Sequence, residues 1–334
     1  MRPATATLLA LSLAGGVNGC GDPTGNAVQV VIPAGSTFKA ATDSLSAHEI
    51  IAAPLLFRMY AKVTGDDRSL KAGTYLLRPG MTWNGVLDAL TEGRGVARML
   101  TIPEGYALRD IVPLLVDSLG LPADSVWAAV RDTVLLRELG ISSDNLEGYL
   151  FPETYSFAAG SPAGAVVDRM VREFGHRWKP EWNSQLAALD MTRHEIVTLA
   201  SIVEKEAILD AERPMISAVY HNRLRIGMPL QADPTVQYAQ GRHSKRVLYS
   251  DLEIDSPYNT YRRRGLPPGP IASPGAASLE AALFPADVPY RYFVAHPDGH
   301  HEFRVTFEGH TDARRDVRRA GGDADGGTPE GAKP

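Results

Sequence analysis

The chain is poor in three things, and each shortage closes off a class of function. It has one cysteine in 334 residues, so there is no internal disulfide framework, and a chain of this length builds a core without one. It has no block rich in lysine and arginine, and its net charge is −5. Both argue against a nucleic-acid partner, whose phosphates call for a basic face. The run Arg262-Arg263-Arg264 reads as a solvated loop. Metal motifs are lacking too. His296, His300, His301 and His310 straddle a turn without an HExxH pattern or cysteine partners, so neither a metal nor another cofactor is expected. The apolar stretch behind Arg2, Ala4 to Val17 with Leu8, Leu9, Leu11 and Leu13, is short for a span, since about 20 apolar residues cross a bilayer. It reads as a secretory or anchoring segment, residues 1–20.

What is present is a globular protein, 44% hydrophobic, with enough length for one large or two ordinary domains. Residues 21–102 read as a small α/β module with a repeated grammar. Val28 to Ile32 runs into Pro33-Ala34-Gly35, Leu76-Leu77 into Arg78-Pro79-Gly80, and Ile102 into Pro103-Glu104-Gly105-Tyr106. Each is a strand end, then a Pro/Gly turn, then a helical pattern. Residues 103–319 form a larger, mainly helical domain closed by a hairpin, Tyr290 to Ala295 and Glu302 to Phe307 about Pro297-Asp298-Gly299. Residues 320–334 are a Gly/Asp/Pro-rich tail that reads as disordered. The fold class is α/β (α+β).

The larger domain is organised around one helix. Thr192 and Glu195 form a capping box, which predicts a helix from Arg193 to about Ala211. Ile196, Val197, Leu199, Ala200, Ile202 and Val203 leave it almost no polar face, the pattern of a helix surrounded by protein. Glu204 and Glu206 then arrive on this scaffold about 200° apart around the axis. A carboxylate among apolar neighbours favours its protonated form and can serve as a general acid. Local pattern leaves the two as near equals, and also allows a solvated, charged last turn with Lys205.

Other stretches carry the composition of a sugar site, acids and amides beside aromatic rings. These are Asn145-Leu146-Glu147-Gly148-Tyr149-Leu150-Phe151-Pro152, Leu230-Gln231-Ala232-Asp233-Pro234-Thr235-Val236 and Tyr258-Asn259-Thr260-Tyr261. The last lies in a Pro/Gly-rich connection, Ser256 to Gly275, which reads as a binding loop.

These blocks, with Ala200-Ser201-Ile202-Val203-Glu204-Lys205-Glu206, Asn222-Arg223-Leu224 and Gly265-Leu266-Pro267-Pro268-Gly269-Pro270-Ile271, in that chain order, resemble the signature of the bacterial endolytic murein transglycosylase (YceG-like) family. The first module resembles a LysM-like glycan-associated unit. The resemblance implies a lytic transglycosylase, a carbon–oxygen lyase. It would cleave the β-1,4 bond between N-acetylmuramic acid and N-acetylglucosamine inside a peptidoglycan strand, leaving a 1,6-anhydro end and terminating nascent strand elongation. It places the catalytic glutamate at Glu204 and substrate-binding groups at Glu147, Gln231, Asp233, Thr235, Tyr258 and Asn259. It also implies an enzyme at the cell membrane, facing outward, beside cell-wall synthases. Val17-Asn18-Gly19-Cys20 resembles a lipobox, which would make Cys20 a lipid attachment site where the family usually carries a transmembrane helix. Three rival readings remain open: a muramidase pairing Glu204 with Glu206, Glu147, Glu153 or Asp233, a non-catalytic peptidoglycan-binding scaffold, and, least favoured, a metal hydrolase using the histidines.

Overall fold

The structure is a computed structural model that describes residues 26–93, 97–241 and 247–320. The expected anchor with Cys20 and the expected tail lie outside these residues. The chain divides into two units: the first runs through Arg98 and takes in Phe157–Gly160, and the second comprises Met99–Ser156 and the chain from Ser161 onward.

In the first unit the grammar of strand, turn and helix becomes structure twice. β1 (Val28–Ile32) passes through Pro33-Ala34-Gly35 to Thr37, whose hydroxyl accepts from the Ala40 amide and starts α1 (Phe38–Ala47). α2 (Pro54–Thr64) follows, and β2 (Gly73–Leu77) returns antiparallel to β1 with Val30 opposite Tyr75. Thr82 then caps α3 (Trp83–Glu92) as Thr37 caps α1. In both helices the hydroxyl satisfies one of the orphan donors at the helix start. Alternation puts Val30 and Ile32 of β1 and Tyr75 and Leu77 of β2 on one face, where Leu45, Phe57, Leu87 and Leu90 complete the core.

The third repeat is β3 (Ala97–Thr101), the Pro103-Glu104-Gly105 turn and α4 (Leu108–Leu119). Then come α5 (Ala123–Ala129), α6 (Thr133–Glu138) and β4 (Thr154–Ala158), which pairs with β3. They are followed by α7 (Ala163–Arg177), α8 (Trp182–Leu189) and α9 (Arg193–Glu206). α10 (Arg213–Arg225), α11 (Asp233–Ala239) and α12 (Ala276–Leu283) pack against α9. Ile196, Val197, Leu199, Ala200, Ile202 and Val203 are all 0% exposed there, and full burial stabilises by about 1.5–3 kcal/mol for each large aliphatic chain. A hairpin of β5 (Tyr292–Ala295) and β6 (His301–Arg304), with Phe293 opposite Phe303, leads to α13 (Phe307–Ala320).

Two boundaries differ from the sequence expectation, and one short helix has no counterpart in it. α9 stops at Glu206 instead of about Ala211, with Ala207 extended and Ile208 and Leu209 left exposed. No apolar face remains to bury there, and Pro214 begins the next helix at its first turn. The hairpin ends at Arg304, and Phe307 opens a helix that sparse apolar spacing conceals. Asp233–Ala239, which overlaps the Leu230 to Val236 block, is a short helix, again with a proline, Pro234, in its first turn.

Candidate active site

The capping box at the start of α9 is formed as expected: Thr192 Oγ1 accepts from the Glu195 amide at 3.2 Å, and Glu195 Oε2 accepts from the Thr192 amide at 2.7 Å. From this end the Pro/Gly-rich connection lies along the helix as a strap. His194 Nε2 donates to the Pro268 carbonyl at 3.0 Å, Ser201 Oγ accepts from the Ile271 amide at 3.0 Å, and the Gly275 amide donates to Glu204 Oε2 at 3.0 Å. Residues 269–275 are buried. Irregular backbone can be buried only where its polar groups find partners, and α9 supplies several. The segment 269–275 thus serves as packing that aims an N–H at Glu204, where a binding loop was expected.

Glu204 ends this track. Its side chain is 7% exposed, and Arg213 Nη2 stands 3.4 Å from Oε1. Arg213 is itself held by Asp210 and by Ser278 Oγ, the latter at 2.9 Å. The surroundings of Glu204 are therefore charged as well as apolar. A fourth charge, Glu104, reaches the same place from the turn before α4. Burial pushes its carboxyl up from the ordinary 4.5, the Glu204 charge adds to this, and Arg213 opposes it. Sequence reasoning did not nominate Glu104 or Arg213, although both leave a trace. Pro103-Glu104-Gly105-Tyr106 has the same acid-plus-aromatic composition that singled out Glu147. Arg213 is a cation in the first turn of a helix, where the dipole favours an acid.

The other expected site residues fall into two groups. Glu147 is 4% exposed and accepts from the Leu108 amide at 2.9 and 3.2 Å and from Tyr238 OH at 3.1 Å. It caps α4 from a distance, and burial raises it to about 7. Tyr258 packs on Tyr238 with ring centres 4.8 Å apart, and Arg109 lies over Tyr238 at 5.6 Å. Asp233 belongs with Glu206 instead. Tyr220 OH donates to Glu206 at 2.8 Å, Tyr261 OH donates to Asp233, and burial, reinforced by the Asp233 charge, lifts Glu206 to about 7. Thr235 and Asn259 are 0% exposed. Thr235 Oγ1 donates to the Ala232 carbonyl at 2.7 Å and sits 2.8 Å from Thr260 Oγ1, while Asn259 donates to the carbonyls of Leu252 and Ile254 at 2.8 and 2.9 Å. Gln231 adopts a positive φ of 49°, and its amide donates to the Thr260 carbonyl at 3.2 Å.

Of the histidines, His301 pairs with Glu212 at 2.7 Å and His296 with Glu302 at 3.1 Å. Among the described residues no group of three or more His, Cys, Asp or Glu is arranged to hold a metal ion.

Two acids whose carboxyls are withdrawn from water and raised make stability depend on pH. Glu147 and Glu206 sit at about 7 in the folded chain against an ordinary 4.5, so folding takes up protons between those values. Their contribution is full below about pH 4.5 and is lost as pH rises through about 7, a loss on the order of a few kcal/mol in all. The Tm of Glu206→Gln is expected to rise relative to wild type between pH 5 and pH 8, because glutamine mimics the protonated acid. A gap that stays constant across that range would refute the assignment.

Concavity alone does not find Glu204. A hollow of about 920 Å³ lies at the opposite end of α9 around Thr192, His194 and Pro268, roughly 18 Å away along the helix. A smaller groove of about 510 Å³ is lined by Gly105, Tyr106, Arg109, Asp110 and Lys205. A Cβ at Gly105 would stand 3.8 Å from Glu204 Cγ, so the Gly105 wall of this groove lies against the Glu204 side chain. The chemistry, a carboxyl enclosed by fixed donors at a groove end, decides between the two.

An α+β frame thus holds one carboxylate between a backbone N–H and a guanidinium. Residues 30–316 match the YceG-like family, and the chain belongs to it. A Bacillus subtilis (strain 168) protein named endolytic murein transglycosylase is 36% identical over 303 residues, covering 86% of this chain and 84% of the relative. One of the same name from Streptococcus pneumoniae serotype 2 (strain D39 / NCTC 7466) is 33% identical over 299 residues, covering 80% of this chain and 54% of the relative. The chain thus spans about half of that longer protein. The crystal structure of a yceG-like protein from Listeria monocytogenes is 36% identical with a TM-score of 0.61, covering 86% of this chain and 98% of that one.

Proposed function

We propose that this chain is an endolytic lytic transglycosylase of peptidoglycan, with Glu204 as both acid and base. Glu204 protonates the glycosidic oxygen between N-acetylmuramic acid and N-acetylglucosamine. As a carboxylate it then receives the proton of the C6 hydroxyl, which closes onto the anomeric carbon to leave a 1,6-anhydro end. Neither water nor an enzyme nucleophile enters. The observation that carries this reading is the placement of the carboxylates. Among the acids nominated from sequence, Glu204 alone is withdrawn from solvent, with its side chain 7% exposed, and held by both a backbone N–H and a guanidinium. Glu147 and Glu206 are engaged by tyrosines and, for Glu147, a helix start, while Glu153 is paired with Arg177 at 2.6 Å. A hydrolase would need a second carboxylate as a partner, and none of these three acids stands ready for that, which leaves Glu104 as the one carboxylate beside Glu204 that could fill the place. Glu147, Gln231, Asp233, Thr235, Tyr258 and Asn259 shape the substrate groove, several of them by holding its walls.

Mass spectrometry of peptidoglycan digested by the purified chain tests the reaction. The expected products carry 1,6-anhydro ends, and reducing ends would replace this reading with that of a muramidase.

The place of action is the outer face of the cell membrane, on newly made strands beside the synthases, with the N-terminal segment as anchor and Cys20 as its lipid site. No helix among the described residues is long and apolar enough to cross a membrane. Cys20→Ser is expected to leave the membrane fraction, and its full retention there would remove Cys20 from this role.

A further inference from the structure

Glu104 has no task in a reaction that needs one acid, yet the fold holds it firmly. The Gly105 amide donates to the Ser273 carbonyl at 2.9 Å, the Ser273 amide to the Tyr106 carbonyl at 2.7 Å, and Lys205 Nζ to the Gly105 carbonyl at 3.2 Å. Gly105 itself turns at φ +73°, a conformation that costs glycine little. The turn is therefore clamped between the strap and the last turn of α9. At Gly275 an added Cβ would overlap the Glu104 carboxyl, and the same residue donates its N–H to Glu204. The two acids thus meet one residue of the strap, Glu204 at its amide and Glu104 at its Cα. Glu104 differs from the other acids nearby. The residue as a whole is exposed, although its carboxyl end is partly withdrawn from water, and no hydrogen bond or ion pair joins that carboxyl to another described residue. Glu147 is spent on a helix start, Glu206 on a tyrosine and Asp210 on Arg213.

We infer that Glu104 is a second catalytic carboxylate, which faces the muramyl ring and stabilises its positive charge while Glu204 moves the proton. The inference rests on the transglycosylase reading. In that reaction the Glu204 acid gives its proton to the glycosidic oxygen as the C1–O bond breaks, and the bonding pair leaves with the N-acetylglucosamine oxygen. Positive charge spreads over C1 and the ring oxygen of the muramyl sugar. O6 then supplies a pair to C1, and its proton returns to Glu204. Glu104 forms no bond and neither gains nor loses a proton. Its charge matters at one moment, when Glu204 has just become anionic and the ring is cationic. Two like charges held together before the reaction are relieved by a cation between them, an interaction stronger in the transition state than in the ground state. Arg213 keeps the pair tolerable before substrate arrives; the Glu104 carboxyl is raised first by burial and then by the Glu204 charge, and only the second of these is repulsion between the two acids.

The test uses the full chain on soluble glycan strands, with Glu104→Gln and Gly275→Ala. Glu104→Gln keeps the shape and removes the charge. Gly275→Ala keeps the charge but displaces the carboxyl, and its backbone at φ −73° accepts alanine. Each is expected to lower kcat by about 100-fold or more, with KM within about threefold, 1,6-anhydro products retained and Tm near wild type. A Glu104→Gln enzyme with kcat within about threefold of wild type would overturn the inference, as would a loss confined to KM or accompanied by a matching fall in Tm. If wild type itself yields reducing ends, the transglycosylase reading fails first, and loss of those ends in Glu104→Gln would mark Glu104 as a base for water instead.

Discussion

Replacing Glu204 with glutamine is expected to leave a folded protein that no longer cuts glycan strands. Glutamine keeps the size of the side chain and an oxygen to accept from the Gly275 amide. Arg213 loses one charged partner but keeps Asp210 and Ser278, so no guanidinium is stranded, and the change in stability is expected to stay near ~1 kcal/mol. The chemistry has no such reserve. General acid and general base assistance are each worth about 10²–10⁴ in rate, and here one group gives both. A fall of at least about 10³-fold is expected, equivalent to about 4 kcal/mol of barrier. Release of soluble fragments from purified peptidoglycan, followed over time beside a thermal melt, reads both effects. If Glu204→Gln kept more than about a tenth of the wild-type rate, the acid would have to be sought elsewhere, with Glu104 first in line. Loss of activity together with loss of the folded state would instead show that the glutamate is structural.

How far this site is legible in the sequence depends on the range of the interactions that make it. The start of α9 is written in four consecutive residues, Thr192 to Glu195, and its burial in the six apolar residues that follow; both are local, and both are found as expected. The choice between Glu204 and Glu206 is not local. It is made by Arg213, nine residues on, and by Tyr220, fourteen from Glu206, and helical spacing is silent on such partners. The strap shows the same limit. Its prolines and glycines announce irregular backbone, but that segment 269–275 would be buried depends on Ser201, seventy residues before Ile271. Glu104 is further still, in a turn that meets α9 across one hundred residues of sequence. The repeated strand, turn and helix grammar did predict that turn correctly. What it could not supply is the neighbour that turns an ordinary surface acid into a member of the site. α13 failed for the opposite reason: only Ala313 of its residues reaches 2% exposure, and a helix that buries so little leaves a faint pattern.

The strap can be tested where it has least room. Gly148→Ala is expected to destabilise the chain more than any other single methyl added near the site. Gly148 sits at φ +82°, where an L side chain costs about 1–2 kcal/mol. Its new Cβ would overlap the Pro270 ring and stand 3.3 Å from Val197 Cγ1. Proline cannot rotate out of the way, and Val197 is 0% exposed on α9, so overpacking adds about 1–3 kcal/mol. The sum, about 2–5 kcal/mol, corresponds to a Tm roughly 5–15 °C lower for a domain of this size. Activity is expected to fall further than stability, because Pro270 is five residues from the Gly275 amide that Glu204 holds. Pro270→Ala in the same chain separates the two costs. Removing the ring gives the new methyl space, so the double variant is expected to regain the overpacking share while the backbone share persists, a coupling between contacting residues. A Gly148→Ala protein that melts within about 2 °C of wild type would mean that the strap is free to move away from α9. It could not then be what fixes the donor on Glu204.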